Sequence, residues 1–211
     1  MVQRDYYLNR LIRNMWNGEI KVITGIRRCG KSVLLFDLFY NYLLSRGTAE
    51  DAIVRIELDQ RRYYKYRNPI VLCEYIESII TGAPEKQFYL FIDEVQLTTK
   101  VVDKENGNIE VTIYDMLNEL KAYKNLDVYV TGSNSKGLSK DIATEFRGRA
   151  TQIHVFPLCF EECSQFRKFS FFSNINRKAT QRSGRLSERK KETADVEFSP
   201  PRRKRNGAGF F

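Results

Sequence analysis

The stretch that decides the fold runs from residue 25 to residue 32 and reads Gly25-Ile26-Arg27-Arg28-Cys29-Gly30-Lys31-Ser32. Its spacing matches G-x-x-x-x-G-K-[ST], the pattern of a phosphate-binding loop. The two glycines provide the dihedral angles and the clearance that a loop around a phosphate needs. The lysine places a point charge on the β and γ oxygens, and the serine offers a hydroxyl to Mg²⁺ at a helix N-terminus, which favours anions. We therefore predict that these eight residues bind a nucleotide.

The sequence on either side of the loop fits this interpretation. Residues 19–24 are a short β-branched run that predicts a strand, and residues 32–44 form an apolar stretch that predicts a helix ending near Gly47. A strand, a glycine loop and a helix in this order are the context that the motif requires.

Two carboxylates follow the apolar run at residues 88–92. In open α/β sheets, ligands bind beyond the carboxyl ends of the strands. We predict that Asp93 holds Mg²⁺, directly or through water, and that Glu94 orients or deprotonates the attacking water. The alternative is that both acids simply end a strand at a solvated turn.

A third strand is predicted at residues 126–132, and Ser133, Asn134 and Ser135 follow it. Small polar side chains there could contact the γ-phosphate or the nucleophilic water, although an ordinary polar turn is the alternative. Arg147 and Arg149 precede another predicted strand at residues 151–156. An arginine in this place could reach a nucleotide on a neighbouring subunit, but its spacing alone favours a surface arginine.

The first 166 residues alternate strand and helix patterns. Further elements are predicted at residues 52–58 (strand), 70–80 and 114–120 (helices), and 101–112 (a hairpin around Asn106-Gly107, beside the metal-binding end of the sheet). Such alternation predicts an α/β fold with a parallel sheet covered on both faces and joined by right-handed crossovers.

The amino-acid composition also changes after residue 166. Residues 1–166 contain 22 basic and 22 acidic side chains, whereas residues 167–211 contain 13 and 4, so the net charge of +9 belongs to the second part. That part has no helix or strand period and is rich in Ser, Arg and Lys. We predict a P-loop domain at residues 1–166 and a disordered basic tail at residues 167–211.

Several other classes of function find no support. The chain has no apolar run as long as a membrane span and no apolar signal-peptide core, so we expect a cytoplasmic protein without membrane contact. The four cysteines, Cys29, Cys73, Cys159 and Cys163, show no disulfide or zinc spacing. The single histidine, His154, is interpreted as a packed strand residue.

Residues 61–67 interleave tyrosines with arginines and a lysine. Some proteins that bind single-stranded nucleic acid use this pairing. The segment follows a strand and precedes a helix, however, so a solvated connecting loop is the favoured interpretation.

The motifs together resemble those of prokaryotic AAA-type P-loop ATPases in which an N-terminal ATPase module precedes a C-terminal domain of unknown function. The resemblance covers about residues 1–163. It is carried by the segments Val22–Ser32, Phe91–Gln96, Asp127–Ser135, Leu138–Ile142, Thr144–Arg149 and Phe156–Glu162.

The resemblance implies a three-layer sandwich of the AAA/ASCE type, with ATP and Mg²⁺ as cofactors. Lys31 and Ser32 resemble a Walker A pair, and Asp93 and Glu94 a Walker B pair. Asn134 or its serine neighbours resemble a γ-phosphate sensor. Arg149, with Arg147 as the alternative, resembles an arginine finger, which implies a homo-oligomer. The family's strand order places the strand that precedes Ser133 between the Walker A and Walker B strands.

The chain departs from the family after Cys163. Family members continue into a helical region and a second domain, whereas a basic segment follows here, as expected of either a frameshift or a genuine basic tail. We expect an adenine lid and an effector domain to be absent, and turnover to be slow and little raised by protein concentration. The sequence predicts an ATP-binding module with Mg²⁺-dependent hydrolysis. A nucleic-acid-binding protein acting through its tail and a nucleotide-binding remnant without hydrolysis are the alternatives.

Overall fold

The computed structural model describes residues 4–104, 107–133, 146, 150–159 and 162, which belong to one compact unit, Met1–Glu162. Its strands are β1 (Ile20–Thr24), β2 (Ile53–Glu57), β3 (Phe88–Asp93), β4 (Val101–Asp103), β5 (Ile109–Val111), β6 (Leu126–Gly132) and β7 (Ala150–His154). Five of them form the central sheet in the order β2-β3-β6-β1-β7. Every neighbouring pair in this sheet is parallel. The predicted position of β6 between β1 and β3 is confirmed.

In the described part of the chain, four α-helices accompany the sheet: α1 (Asp5–Arg13), α2 (Tyr40–Ser45), α3 (Pro69–Thr81) and α4 (Ile113–Leu120). The helix predicted at residues 32–44 is present but begins as a π-helical segment, Val33–Phe39, before it continues as α2. Short π-helical segments are often found at functional sites. The sequence prediction gave no helix at α1.

The strands bury both of their faces, and this makes the domain three-layered. In β3, Leu90 and Ile92 pack with residues of α3 and α4, whereas Tyr89 and Phe91 pack with residues of α1 and the π-helical segment. This alternation follows from the two-residue period of a strand. The α/β sandwich with a parallel sheet is confirmed.

Local capping explains where two of the helices begin. Asn68 lies one residue before the proline that starts α3, and its side chain accepts a hydrogen bond from the N–H of Ile70 at 3.0 Å. At α4, the side chains of Thr112 and Asp115 each accept a hydrogen bond from the other's backbone N–H. Both arrangements satisfy donors that a helix start leaves unpaired.

The predicted hairpin is confirmed. Strands β4 and β5 form a separate antiparallel pair with Val101 opposite Val111. Gly107 and Asn108 have positive φ angles of 85° and 59° between the strands, as tight hairpin turns require.

The aromatic and basic segment differs from the predicted solvated loop. It forms a 3₁₀ helix, Arg61–Arg67, and its Tyr66 is buried, with the ring stacked 4.6 Å from that of Tyr75. The prediction was wrong in this respect, because the segment contributes a side chain to the core. Tyr64 remains exposed beneath the guanidinium of Arg67.

Two further predictions concern the basic tail and contact with a membrane. The basic tail at residues 167–211 lies outside the described residues, and its boundary and disorder remain predictions. Among the residues that the structure describes, no helix combines the length and apolar character needed to cross a bilayer.

Candidate functional site

The loop at residues 25–32 joins β1 to the π-helical segment through a backbone that needs glycine. A Cβ atom on Gly25 would lie 2.3 Å from the carbonyl oxygen of Val155 and 2.7 Å from Sγ of Cys29, and Gly30 has a φ of +94°. Arg28 also has a positive φ, of 64°. The side chains of residues 26–28 are exposed, whereas Cys29 packs into the core. Positive φ angles at Arg28 and Gly30 are of the kind that lets successive backbone N–H groups form an anion-binding concavity.

The lysine of the loop is held inside it. Lys31 is 4% exposed, and its Nζ donates hydrogen bonds to the carbonyl oxygens of Gly25 at 3.2 Å and Ile26 at 3.1 Å. These partners are neutral, and in the described part of the chain no carboxylate forms an ion pair with Lys31. A buried ammonium without a counter-charge favours an anionic ligand.

Asp93 lies at the carboxyl end of β3 and touches the loop. Its Oδ2 accepts a hydrogen bond from Oγ of Ser32 at 2.7 Å, and its Oδ1 accepts one from the hydroxyl of Thr131. Burial raises the pKa of Asp93 above its ordinary value, the two hydroxyls oppose that shift, and the nearby charges of Glu94 and Asp59 add to it. A buried carboxylate and a hydroxyl at this distance are hard oxygen ligands of the kind that Mg²⁺ prefers.

Glu94 follows in a strained conformation, with φ 56° and ψ 50° in the left-handed region. Its N–H donates a hydrogen bond to Oγ1 of Thr131 at 3.2 Å. Its carboxylate accepts hydrogen bonds from Oγ of Ser133 at 2.8 Å and from the side-chain amide of Gln96. Strain of this kind persists where the surroundings fix it, often at functional sites. Here the end of β6 fixes both the backbone and the carboxylate of Glu94.

The structure thus brings most of the predicted site together. The loop, Asp93 and Glu94 meet at the carboxyl edge of the parallel sheet, and Ser133, a serine neighbour of the predicted sensor, contacts Glu94. Asn134, Arg147 and Arg149 lie outside the described residues.

Sequence reasoning missed Thr131, Gln96 and Arg4. Thr131 lies beside Asp93 because Ile92 pairs with Val130 in the parallel register, and that register is not readable from the sequence alone. Gln96 lies two residues beyond Glu94, and this short spacing was a signal for a contact between their side chains. Arg4 had no such signal, since its contacts lie far along the chain.

A second group of potential metal ligands lies between α3 and α4, away from the loop. Cys73 donates its S–H to Glu119 over 3.9 Å, and the Tyr123 hydroxyl donates to Glu77 at 2.7 Å. Burial, reinforced by the neighbouring carboxylates, raises the pKa of Cys73 to about 12, so its thiol is protonated at neutral pH. These hydrogen bonds account for the arrangement of the group.

A parallel sheet, a glycine loop leading from β1 into a helix, and a buried carboxylate at the end of β3 together define a P-loop α/β module. The family model of the AAA domain matches residues 17–164. The chain belongs to this family.

Two curated relatives match over most of the chain. An uncharacterized protein of Haemophilus influenzae is 33% identical over 165 residues, which are 77% of this chain and 37% of that protein. An uncharacterized protein of Methanocaldococcus jannaschii is 30% identical over 174 residues, 81% of this chain and 32% of that protein. The chain therefore spans about a third of the length of these relatives.

Solved structures with a similar fold include the ORC2 protein of Aeropyrum pernix in ADPNP–ADP complexes, with a TM-score of 0.49, 13% identity, and coverage of 77% of this chain and 48% of that chain. The PCH-2 protein of C. elegans has a TM-score of 0.49 and 16% identity, and the match covers 72% of this chain and 41% of that chain. A DNA replication initiation factor has a TM-score of 0.47 and 15% identity, and the match covers 80% of this chain and 49% of that chain. At these scores none of the three likenesses supports a statement about function.

Proposed function

We propose that this chain binds ATP with Mg²⁺ at the loop of residues 25–32 and hydrolyses it slowly. The single observation that carries the proposal is the 2.7 Å contact between Ser32 and Asp93. It joins the end of the loop to the carboxyl end of β3, and so unites a hydroxyl and a buried carboxylate beside the uncompensated ammonium of Lys31. A magnesium–nucleotide complex supplies a cation for the carboxylate of Asp93 and an anion for the ammonium of Lys31.

Each residue has a distinct part in this proposal. The N–H groups of the loop and Nζ of Lys31 bind phosphate oxygens, which requires the ammonium to turn from its present carbonyl partners. Ser32 and Asp93 would hold Mg²⁺, which when bound neutralises charge on the phosphates. Glu94, oriented by Ser133 and the amide of Gln96, accepts a proton from the attacking water or positions that water.

Two further roles remain proposals on residues outside the described part. Asn134 would sense the γ-phosphate. Arg149 would stabilise transition-state charge on the nucleotide of a neighbouring copy, an effect worth about 10³–10⁵ in rate where such a finger acts. The resemblance of the sequence to AAA-type ATPases supports ATP over GTP.

A steady-state phosphate-release assay tests the hydrolytic part of the proposal. ATP and GTP are compared, with and without Mg²⁺, over a series of protein concentrations. We expect Mg²⁺-dependent release from ATP at well below about one turnover per second, which is slower than the usual enzyme range. Release that needs no Mg²⁺, or turnover of about one per second or faster, contradicts it. We expect specific activity to rise little with protein concentration; a steep rise contradicts this expectation and indicates a group donated in trans.

A further inference from the structure

The side chain of Arg4 joins three segments that are distant in sequence. Nη1 donates to the carbonyl oxygen of Cys29 at 2.7 Å, Nη2 donates to that of Phe156 at 2.7 Å, and Nε lies 3.1 Å from Oε1 of Glu162. The guanidinium also lies 4.5 Å from the ring centre of Tyr7. Arg4 is 5% exposed. The planar guanidinium holds its donors in a fixed fork, which suits it to bind three such acceptors at once.

One of these acceptors belongs to the phosphate-binding loop. The Cys29 carbonyl shares its peptide plane with the N–H of Gly30, and none of the described peptide bonds is cis. In a trans peptide the carbonyl and the following N–H point in opposite directions. By holding the Cys29 carbonyl, Arg4 therefore directs the N–H of Gly30 away from itself.

The loop needs such support at one position, because Arg28 has a φ of +64°. For a residue other than glycine, a conformation of this kind persists only where surrounding contacts fix it. A Cβ on Gly30 would lie 3.3 Å from Nη1 of Arg4, so the guanidinium sits directly behind this residue. Glu162 compensates the charge of the guanidinium.

We propose that Arg4 is a positioning residue for nucleotide binding, which directs the N–H of Gly30 toward the phosphates by holding the carbonyl of Cys29. The inference rests on the proposed nucleotide-binding function. Its competitor is a purely structural role, in which Arg4 only fastens α1 to the segment after β7.

The chain offers controls that separate the two roles. The Tyr7 hydroxyl accepts a hydrogen bond from the N–H of Phe156 at 3.2 Å, so Tyr7→Phe loosens the same junction without touching the loop. Glu162→Gln removes the charge partner of Arg4 but leaves the carbonyl of Cys29 bound. Arg4→Met removes every donor while it keeps an apolar stem of similar length.

The experiment titrates wild type and the three variants with Mg·ATP and Mg·ADP by calorimetry, and measures the unfolding midpoint of each protein without nucleotide. We expect Arg4→Met to weaken both nucleotides by the same factor, about tenfold, as the loss of a hydrogen bond to a charged group predicts. Both nucleotides have the phosphates that a loop amide contacts. Tyr7→Phe and Glu162→Gln should lower the midpoint while affinity stays within about twofold.

Two outcomes overturn the inference alone: an affinity of Arg4→Met within about twofold of wild type, or a loss of affinity that follows the loss of stability across all three variants. If wild type binds neither nucleotide, the proposed function itself fails. If Arg4→Met does not fold, Arg4→Lys replaces it. A lysine lacks the fixed fork of donors with which Arg4 binds three acceptors, so it keeps only part of these contacts and a smaller loss, about threefold, is expected; wild-type affinity in a folded Arg4→Lys overturns the inference.

Discussion

Two aspartates are buried at opposite ends of the same sheet, and their partners differ. Asp127, near the start of β6, is 3% exposed and forms an ion pair with Lys21. It also accepts hydrogen bonds from the Tyr129 hydroxyl at 2.8 Å and from the N–H of Trp16 at 3.0 Å. Asp93, at the end of β3, is 4% exposed, and among the described residues its carboxylate is bound only by hydroxyl groups.

The difference teaches how a structural charge is distinguished from a functional one. A buried charge is costly unless a partner compensates it. At the Asp127 end the protein supplies the cation, although burial lowers the pKa of Lys21. At the Asp93 end the nearby charges are unbalanced: the carboxyl groups have no protein cation, and the ammonium of Lys31 has no protein anion among the described residues. A magnesium–nucleotide complex would balance both.

The largest effect is expected from Lys21→Met, which leaves the Asp127 carboxylate buried without its cation. Breaking a buried pair in this way costs about 3–5 kcal/mol in the free energy of unfolding. Chemical denaturation measures it, with Lys100→Met as the control, because the pair of Lys100 and Glu110 is 73% and 55% exposed. The control should be almost unchanged, since exposed pairs contribute little. Equal effects of the two variants would remove the contrast between the ends of the sheet.

Glu94→Gln should act on hydrolysis alone. Glutamine keeps the shape of the side chain but cannot accept a proton, so we expect single-turnover hydrolysis to fall by about 100-fold or more. The affinity for Mg·ATP should be unchanged, because Ser32 and Asp93 remain. Glu57→Gln makes the same chemical change at the end of the neighbouring strand β2 and should hydrolyse at the wild-type rate. Wild-type hydrolysis by Glu94→Gln would reduce Glu94 to a solvated strand end.

Asp93→Asn tests the unbalanced carboxylate directly. We expect the increase in ATP affinity caused by Mg²⁺ to fall by about tenfold, while the protein folds at least as well as wild type. Asp59 contributes to the same local negative charge and is exposed, so Asp59→Asn is the matched control and should keep the Mg²⁺ effect. A loss of stability like that of Lys21→Met, with unchanged Mg²⁺ dependence, would make Asp93 a structural residue.

The smallest effect concerns pH. Burial raises the pKa of Asp93 in the folded protein above the ordinary value of 3.8. The stability that this proton contributes is therefore complete below that value and is lost as pH rises through the raised pKa. Asp93→Asn cannot titrate. In the absence of nucleotide, its unfolding free energy relative to wild type should increase from about pH 4 toward neutrality. Denaturation at several pH values checks this, and a constant difference would show that burial does not shift the pKa.

Much of the fold was predictable because its signals are local. The apolar run before Asp93 predicted a buried strand, and the β-branched run before Gly25 predicted the strand that carries the loop. Helix α1 had a helical spacing at Tyr7 and Leu11, both of which are buried, but that spacing was not used. The π-helical start of the helix after the loop had no such signal, since apolar spacing does not distinguish a π turn from an α turn.

The site was predictable in its motifs and not in its contacts. Gly25, Lys31, Ser32 and Asp93 were assigned by spacing, and the structure places them at one edge of the sheet. The contact between Thr131 and Asp93 needed the strand order as well as the register. Arg4 needed the whole fold, because its acceptors are brought together only when the loop packs against the segment after β7. Long-range contacts of this kind leave no period in the sequence.

The central claim is that the loop of residues 25–32 binds the phosphates of ATP, and calorimetric titration of Lys31→Ala with Mg·ATP tests it most directly. Lys124→Ala is the matched control, since Lys124 is exposed and lies just before β6, at the opposite end of the sheet. We expect wild type and Lys124→Ala to bind equally and Lys31→Ala to lose binding with little change in stability. Unchanged affinity in a folded Lys31→Ala protein would contradict the assignment of the loop.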